Sequence, residues 1–322
     1  MDLNGKNVCF LGDSITEHGF YVYDLRSYFH YKKIKCSVYN CGIGGNRAIM
    51  SYDLLDAETA NFKPDYIVIN YGINDMGIWL YDVKNPETEE IIRQREERDK
   101  DFYFGYERTV RAVKDRGIIP IIASTVSVDE KISQDGAVET LGDNAEKAEK
   151  LKAEFYLRKN FTLINQKLSE YSQNLKKLAE RENVPFMDIQ KRTYEDMLNK
   201  SGLYNKDGIH LTETGHAQLA VSFLKEFGYV ADVNDFKKDA DNDEIFKVEQ
   251  TLRKIQVLDW AHFHPIYRNV PKNIREQKAR ELLYDKETRP YFIEYIKTYL
   301  ENHDKVDEIA DDLIRKTDLY CK

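Results

Sequence analysis

Cysteine is scarce in this chain of 322 residues: Cys9, Cys36, Cys41 and Cys321 are the only four, and no two form a Cys-x-x-Cys pair. That fits free buried thiols better than a disulfide framework or a structural zinc site. Positive charge is also in deficit, with 48 Lys and Arg against 56 Asp and Glu for a formal net charge of -8. No Lys/Arg stripe could neutralise a phosphate backbone, so nucleic acid is not an expected partner. No apolar run approaches bilayer length, and the opening Met-Asp-Leu-Asn-Gly-Lys-Asn-Val lacks the order of a secretory leader, which predicts no membrane span and a cytoplasmic location. What the chain does have is 42% hydrophobic residues, enough to bury a sizeable core in one large domain or two smaller ones.

Short apolar runs alternate with longer amphipathic stretches, the pattern of strands and helices in a mostly parallel sheet. Strands are expected at 7–11, 36–40, 66–71, 118–124 and 185–189, several of them apolar throughout, as strands covered on both faces must be. The clearest helices are expected at 102–114, at 145–182 with a break, and at 213–227, the last beginning near Thr212. The predicted core is therefore a three-layer α/β/α sandwich on a five-stranded, mostly parallel sheet. The charged stretches 88–101 and 129–152 read as surface insertions or solvated helix faces. Past Tyr229 the strand-like runs stop, and Ile245, Val248, Leu252 and Ile255, then Phe292, Ile296 and Leu300, recur at helical spacing. This divides the chain into a core at 1–230 and an α-helical extension at 231–322.

In such sheets ligands sit beyond the carboxyl ends of the strands, so chemistry is sought just after each strand. Ser14 follows the first strand in Gly12-Asp13-Ser14, where a tight turn would present a hydroxyl; alone, the tripeptide reads as a helix cap. After the second strand comes Asn40-Cys41-Gly42-Ile43-Gly44-Gly45-Asn46, whose glycines let backbone approach a ligand with a free amide. After the third comes Tyr71-Gly72-Ile73-Asn74-Asp75, offering a side-chain amide; alone, Asn74 is a turn residue. Before the last core helix stands Asp207-Gly208-Ile209-His210. If both side chains face the cleft, Asp207 fixes the tautomer of His210, and His210 supplies the base that a serine hydroxyl needs. Asp13 either orients the nucleophile turn at the edge of the substrate pocket, which it would help to line, or caps the next helix. His18 and Trp79 either line the substrate pocket or are, respectively, surface and core residues.

Taken together and in order, these four elements resemble the SGNH hydrolases, the GDSL esterase/lipase family, over about the first 230 residues. The resemblance implies a flavodoxin-like sandwich and a serine esterase. It also implies Ser14, His210 and Asp207 as the triad, and the amides of Ser14 and Gly45 with the Asn74 side chain as the oxyanion hole. The adjacent Gly44 leaves that second block ambiguous by one residue. Asn46 stands where relatives often have Asp, and no mechanistic weight is attached to it.

No metal or cofactor is expected, and the partner is a small-molecule ester. The favoured substrate is a short-chain ester such as an O-acetyl group on a carbohydrate, since no long apolar lid is visible and 22 Tyr could face sugar rings. Alternatives are a lipase or lysophospholipase, an O-acyltransferase, and, outside enzymology, a binding module on the same core. A nucleotide binder is disfavoured because the glycine turn has neither phosphate-loop spacing. Asp239, Asp241 and Asp243 open like a calcium loop, but Glu244 and Gln250 replace its required Gly and Glu. The cluster Trp260, His262, Phe263, His264 and Tyr267 reads as packing ahead of a metal or sugar site. The extension could shape the pocket, cover the cleft or form a homo-oligomer.

Overall fold

A computed structural model describes residues 1–59, 62–81, 87–130, 163–198, 200–205 and 207–236, with positions 280 and 300 in isolation. The five strands are β1 (Lys6–Gly12), β2 (Cys36–Gly42), β3 (Tyr66–Asn70), β4 (Ile119–Ala123) and β5 (Phe186–Met187). They form one sheet in the order β2-β1-β3-β4-β5, and every pairing in it is parallel. Val8 to Gly12 and Ile67 to Asn70 are buried without alternation, which requires helices on both faces.

Those helices are α1 (Ser14–His18), α2 (Phe20–Tyr31), α3 (Ala48–Thr59), α4 (Ile73–Met76), α5 (Glu89–Asp115), α6 (Ile164–Glu182), α7 (Ile189–Met197) and α8 (Glu213–Phe227). On one face α2 packs against α8, and on the other α3 packs against α5. The ring of Phe10 in β1 meets Tyr21 and Phe223 edge-on at 5.5 and 5.1 Å, knitting β1 to the first layer. In the second layer Phe102 stacks on Tyr171 at 4.0 Å. The Tyr106 hydroxyl accepts from the Tyr71 amide at 2.9 Å and lies 3.1 to 3.3 Å from the carbonyls of Ala123, Tyr71 and Ile69. One buried phenol thus ties the carboxyl ends of β3 and β4 together.

The strand expectations hold to within two residues at each end, and the last strand is shortened the most. The run at 185–189 keeps only Phe186 and Met187 in the sheet, because the Asp188 carboxylate accepts from the Lys191 amide and starts α7 at Ile189. The helix expected at 102–114 is α5, and it begins at Glu89, capped by Thr88. The stretch read as an insertion or solvated face is its first half. The helix expected near Thr212 is α8, with the Thr212 hydroxyl accepting from the Gly215 amide as its N-cap.

Of the expected extension, 231–236 is described, with a short 3-10 turn at Val233–Phe236, together with the isolated positions 280 and 300. The calcium-like run, the Trp260 cluster, Cys321, residues 131–152 and the first part of the expected 145–182 helix lie outside the described residues. Cys9, Cys36 and Cys41 are buried free thiols. Among the described residues no helix is long and apolar enough to cross a membrane.

Candidate active site

The sheet order reverses at β1, since β2 lies on one side of it and β3 on the other. A crevice opens at such a switch point, and the turns leaving β1, β2 and β3 are the three that carry Ser14, Gly45 and Asn74.

Ser14 is the first residue of α1. The preceding Asp13 is extended, and its Oδ1 accepts from the Ile15 amide at 3.0 Å, so Asp13 caps the helix and sets the turn at once. This five-residue helix lies directly on the strand ends. A Cβ at Gly12 would fall 2.1 Å from Thr16 Oγ1, and one at Gly42 would fall 2.3 Å from the Glu17 amide nitrogen. Only glycine permits that approach.

His210 arrives from the opposite end of the core on a loop that closes on itself. Tyr204 and Leu211 form an antiparallel bridge, the Asn205 amide donates to the His210 carbonyl at 2.8 Å, and the Asp129 amide donates to the Gly208 carbonyl at 2.8 Å. Within the loop Asp207 Oδ1 accepts from the amides of Ile209 and His210 at 2.9 and 3.0 Å. Its Oδ2 lies 2.5 Å from His210 Nδ1, and His210 Nε2 lies 2.8 Å from Ser14 Oγ. A carboxylate facing Nδ1 places the proton there and leaves Nε2 as the acceptor for the serine hydroxyl.

The electrostatics agree with that geometry. Burial pushes the His210 imidazole down, but the hydrogen bond to Asp207 and the charges of Asp207, Asp13 and Glu17 outweigh it, leaving the pKa above the ordinary histidine value. Burial raises Asp207, and the His210 bond and charge with the two backbone amides reverse this, holding the carboxyl below its usual range. Each partner therefore favours the charged form of the other.

Asn74, on α4, donates its Nδ2 to the Asn46 carbonyl at 3.1 Å. An acceptor there fixes which end of the amide is the NH2, and the second N–H remains to be offered elsewhere. The main chain of Asn46 thus has a role the sequence did not reveal. Next to it, the buried Asp75 accepts from the Ala48 amide at 2.8 Å, linking the turns after β2 and β3. Burial lifts Asp75 to about 7 and Asp13 to about 6, with Asp13 further raising Asp75. Gly45 is exposed and left-handed, with φ +74°, whereas a Cβ at Gly44 would meet Glu17 Oε2 at 2.6 Å.

Of the three lining candidates, Asp13 is buried as the cap of α1, whereas His18 is exposed and its ring stands 5.1 Å from that of His210. Trp79 packs partly against the core, with the Arg98 guanidinium 4.4 Å from its ring centre. Among the described residues no group of three or more His, Cys, Asp or Glu is placed to hold a metal ion.

Residues 10–218 match the model of the GDSL-like lipase/acylhydrolase family. No curated protein sequence matches the chain. Among solved structures, a gut microbial diltiazem-metabolizing enzyme superposes with a TM-score of 0.64 at 15% identity, covering 99% of this chain and 94% of its own. An acetylxylan esterase from Geobacillus stearothermophilus superposes with a TM-score of 0.51 at 20% identity, covering 72% of this chain and 100% of its own. Forms of that esterase have been solved as catalytic mutants at a serine, a histidine and an aspartate. With Ser14, His210 and Asp207 in contact at one sheet edge beside the turn of Asn74, and residues 10–218 matching the family model, the chain belongs to the GDSL-like lipase/acylhydrolase family and is an ester-bond hydrolase.

Proposed function

We propose that this hydrolase removes a small acyl group, such as an O-acetyl on a carbohydrate, through a Ser14–His210–Asp207 triad and an acyl-enzyme. The observation that carries the reading is the chain of contacts from Ser14 Oγ to His210 Nε2 at 2.8 Å and from His210 Nδ1 to Asp207 Oδ2 at 2.5 Å. His210 takes the Ser14 proton as the oxygen attacks the ester carbonyl. The amides of Ser14 and Gly45 and the free N–H of Asn74 hold the resulting oxyanion. His210 then returns the proton to the leaving alcohol, and water repeats the sequence to release the acid. The small acyl group is supported by the fold shared with the acetylxylan esterase. His18, exposed beside the His210 ring, is where the departing alcohol is expected to pass.

The test is hydrolysis of p-nitrophenyl esters of increasing acyl length by the purified chain, with Ser14→Ala in parallel. Rates that fall with chain length and vanish in the mutant support the reading. A long-chain optimum replaces it with a lipase, and an unaffected mutant removes Ser14 from the mechanism.

A further inference from the structure

α4, which carries Asn74, is a single turn of four residues between Gly72 and Gly77. Its α-type bond from the Met76 amide to the Gly72 carbonyl is followed by the left-handed Gly77, which ends the helix. The carbonyls of Asn74 and Asp75 therefore have no following turn of amides to accept from. Arg98, from the first half of α5, meets both: its Nη1 donates to the Asn74 carbonyl at 3.0 Å and to the Asp75 carbonyl at 3.1 Å. The same guanidinium lies 4.4 Å from the Trp79 ring centre. A Cβ at Gly77 would fall 2.7 Å from Arg98 Nε, so the turn is shaped to seat this side chain. One helical turn earlier, Arg95 repeats the arrangement, donating from Nε to the Leu80 carbonyl at 3.1 Å and lying 4.4 Å from the Tyr81 ring centre. The two arginines form a clasp along the segment that follows β3, and only Arg98 reaches the oxyanion turn itself.

We infer that Arg98 is a positioning residue for catalysis, holding the main chain of Asn74 while the Asn46 carbonyl holds its side chain. Together they fix the remaining Asn74 N–H toward the reacting carbonyl. A donor aimed in advance stabilises charge without reorganising at the moment of reaction. The gain lies in the transition state, so its loss lowers kcat and leaves KM in place. The inference rests on the proposed esterase mechanism, because it assigns Arg98 to that mechanism's oxyanion donor.

The experiment is a double-mutant cycle on p-nitrophenyl acetate with Arg98→Met, which keeps the aliphatic stem against Trp79, Asn74→Ala, and the pair. Arg98→Met is expected to lower kcat by about 10- to 100-fold, less than the loss of a whole oxyanion donor, with KM unchanged. In the Asn74→Ala background the same change should cost less than about threefold, since the group it positions is gone. Arg98→Lys, which keeps a donor, should recover part of the rate, and Arg95→Met should retain the parental kcat. Thermal unfolding of each variant separates lost stability from lost turnover. An equal loss with and without Asn74, a loss confined to KM, or an undiminished kcat overturns the inference while leaving the esterase intact. A parent chain with no turnover overturns the esterase reading and the inference with it.

Discussion

At the scale of single residues, the proposed activity and the stability of the fold respond to pH in opposite senses. His210 accepts a proton only when neutral, and its pKa is raised by Asp207 against the opposing effect of burial. The acid limb of kcat/KM should therefore lie above the ordinary histidine value. Asp207→Asn should lower the rate steeply and move that limb down, as a pH–rate profile on p-nitrophenyl acetate would show. Asp75 and Asp13, raised by burial to about 7 and about 6, bind protons more tightly folded than unfolded. Their contribution to stability is full below the unfolded carboxylate value and is lost as pH rises through those numbers. The raised His210 has the same sign from a higher starting point, while the lowered Asp207 opposes it only in acid. The Tm is thus expected to fall between about pH 5 and about pH 8, and Asp75→Asn to flatten that fall. A Tm that rises over this interval would contradict the account. Asn74→Ala should reduce kcat by about 100- to 1000-fold, measured on the same ester.

At the scale of elements, close approaches fix the site's framework. Gly42 lets the end of β2 meet α1, with a Cβ 2.3 Å from the Glu17 amide nitrogen. Gly42→Ala should therefore displace α1, which carries Ser14, and reduce both activity and Tm. Gly105 lets α5 touch α3, a Cβ there falling 2.4 Å from Ala48 and Ile49 backbone atoms. Gly105→Ala should cost about 1 to 3 kcal/mol in denaturant unfolding, the usual range for overpacking. Where the signal was apolar, these elements were legible: Val8 to Leu11 and Ile67 to Ile69 are buried on both faces and read as strands at once. The first half of α5 reads as charged surface because Ile91 is the apolar residue it packs on the core, while Arg95, Arg98 and Asp99 make its other inward contacts as polar bonds. β5 was overdrawn because Asp188, within the expected strand, turns its carboxylate back to cap α7. The candidate site is legible as motifs, Gly12-Asp13-Ser14 and Asp207-x-x-His210 among them, since local turns dictate those residues. The Asn46 carbonyl and Arg98 are not, because their partners are distant in sequence and main-chain roles leave no side-chain signature.

At the scale of the molecule, the described sheet and the helices that cover both its faces all lie within the span 1–236 of the chain. Its amino terminus is fastened inside that span, the Met1 ammonium donating to the Phe227 carbonyl at 2.9 Å. The acetylxylan esterase folds in a chain wholly covered by 72% of this one. A truncation after residue 236 is accordingly expected to remain folded by circular dichroism and to react at Ser14 with a fluorophosphonate. An unfolded truncation would show that the remainder completes the core.

The loop bearing Asp207 and His210 has a further consequence. Its bridge, its turn bonds and the aspartate–histidine contact are all local, whereas the bond from His210 to Ser14 spans 196 positions of sequence. Asp207 and His210 can form early as a prefabricated part, and in the proposed mechanism Ser14 becomes reactive only when that part docks. In refolding, the recovery of covalent labelling at Ser14 should therefore lag behind the recovery of helical signal, making the enzyme a clock for its own final assembly step.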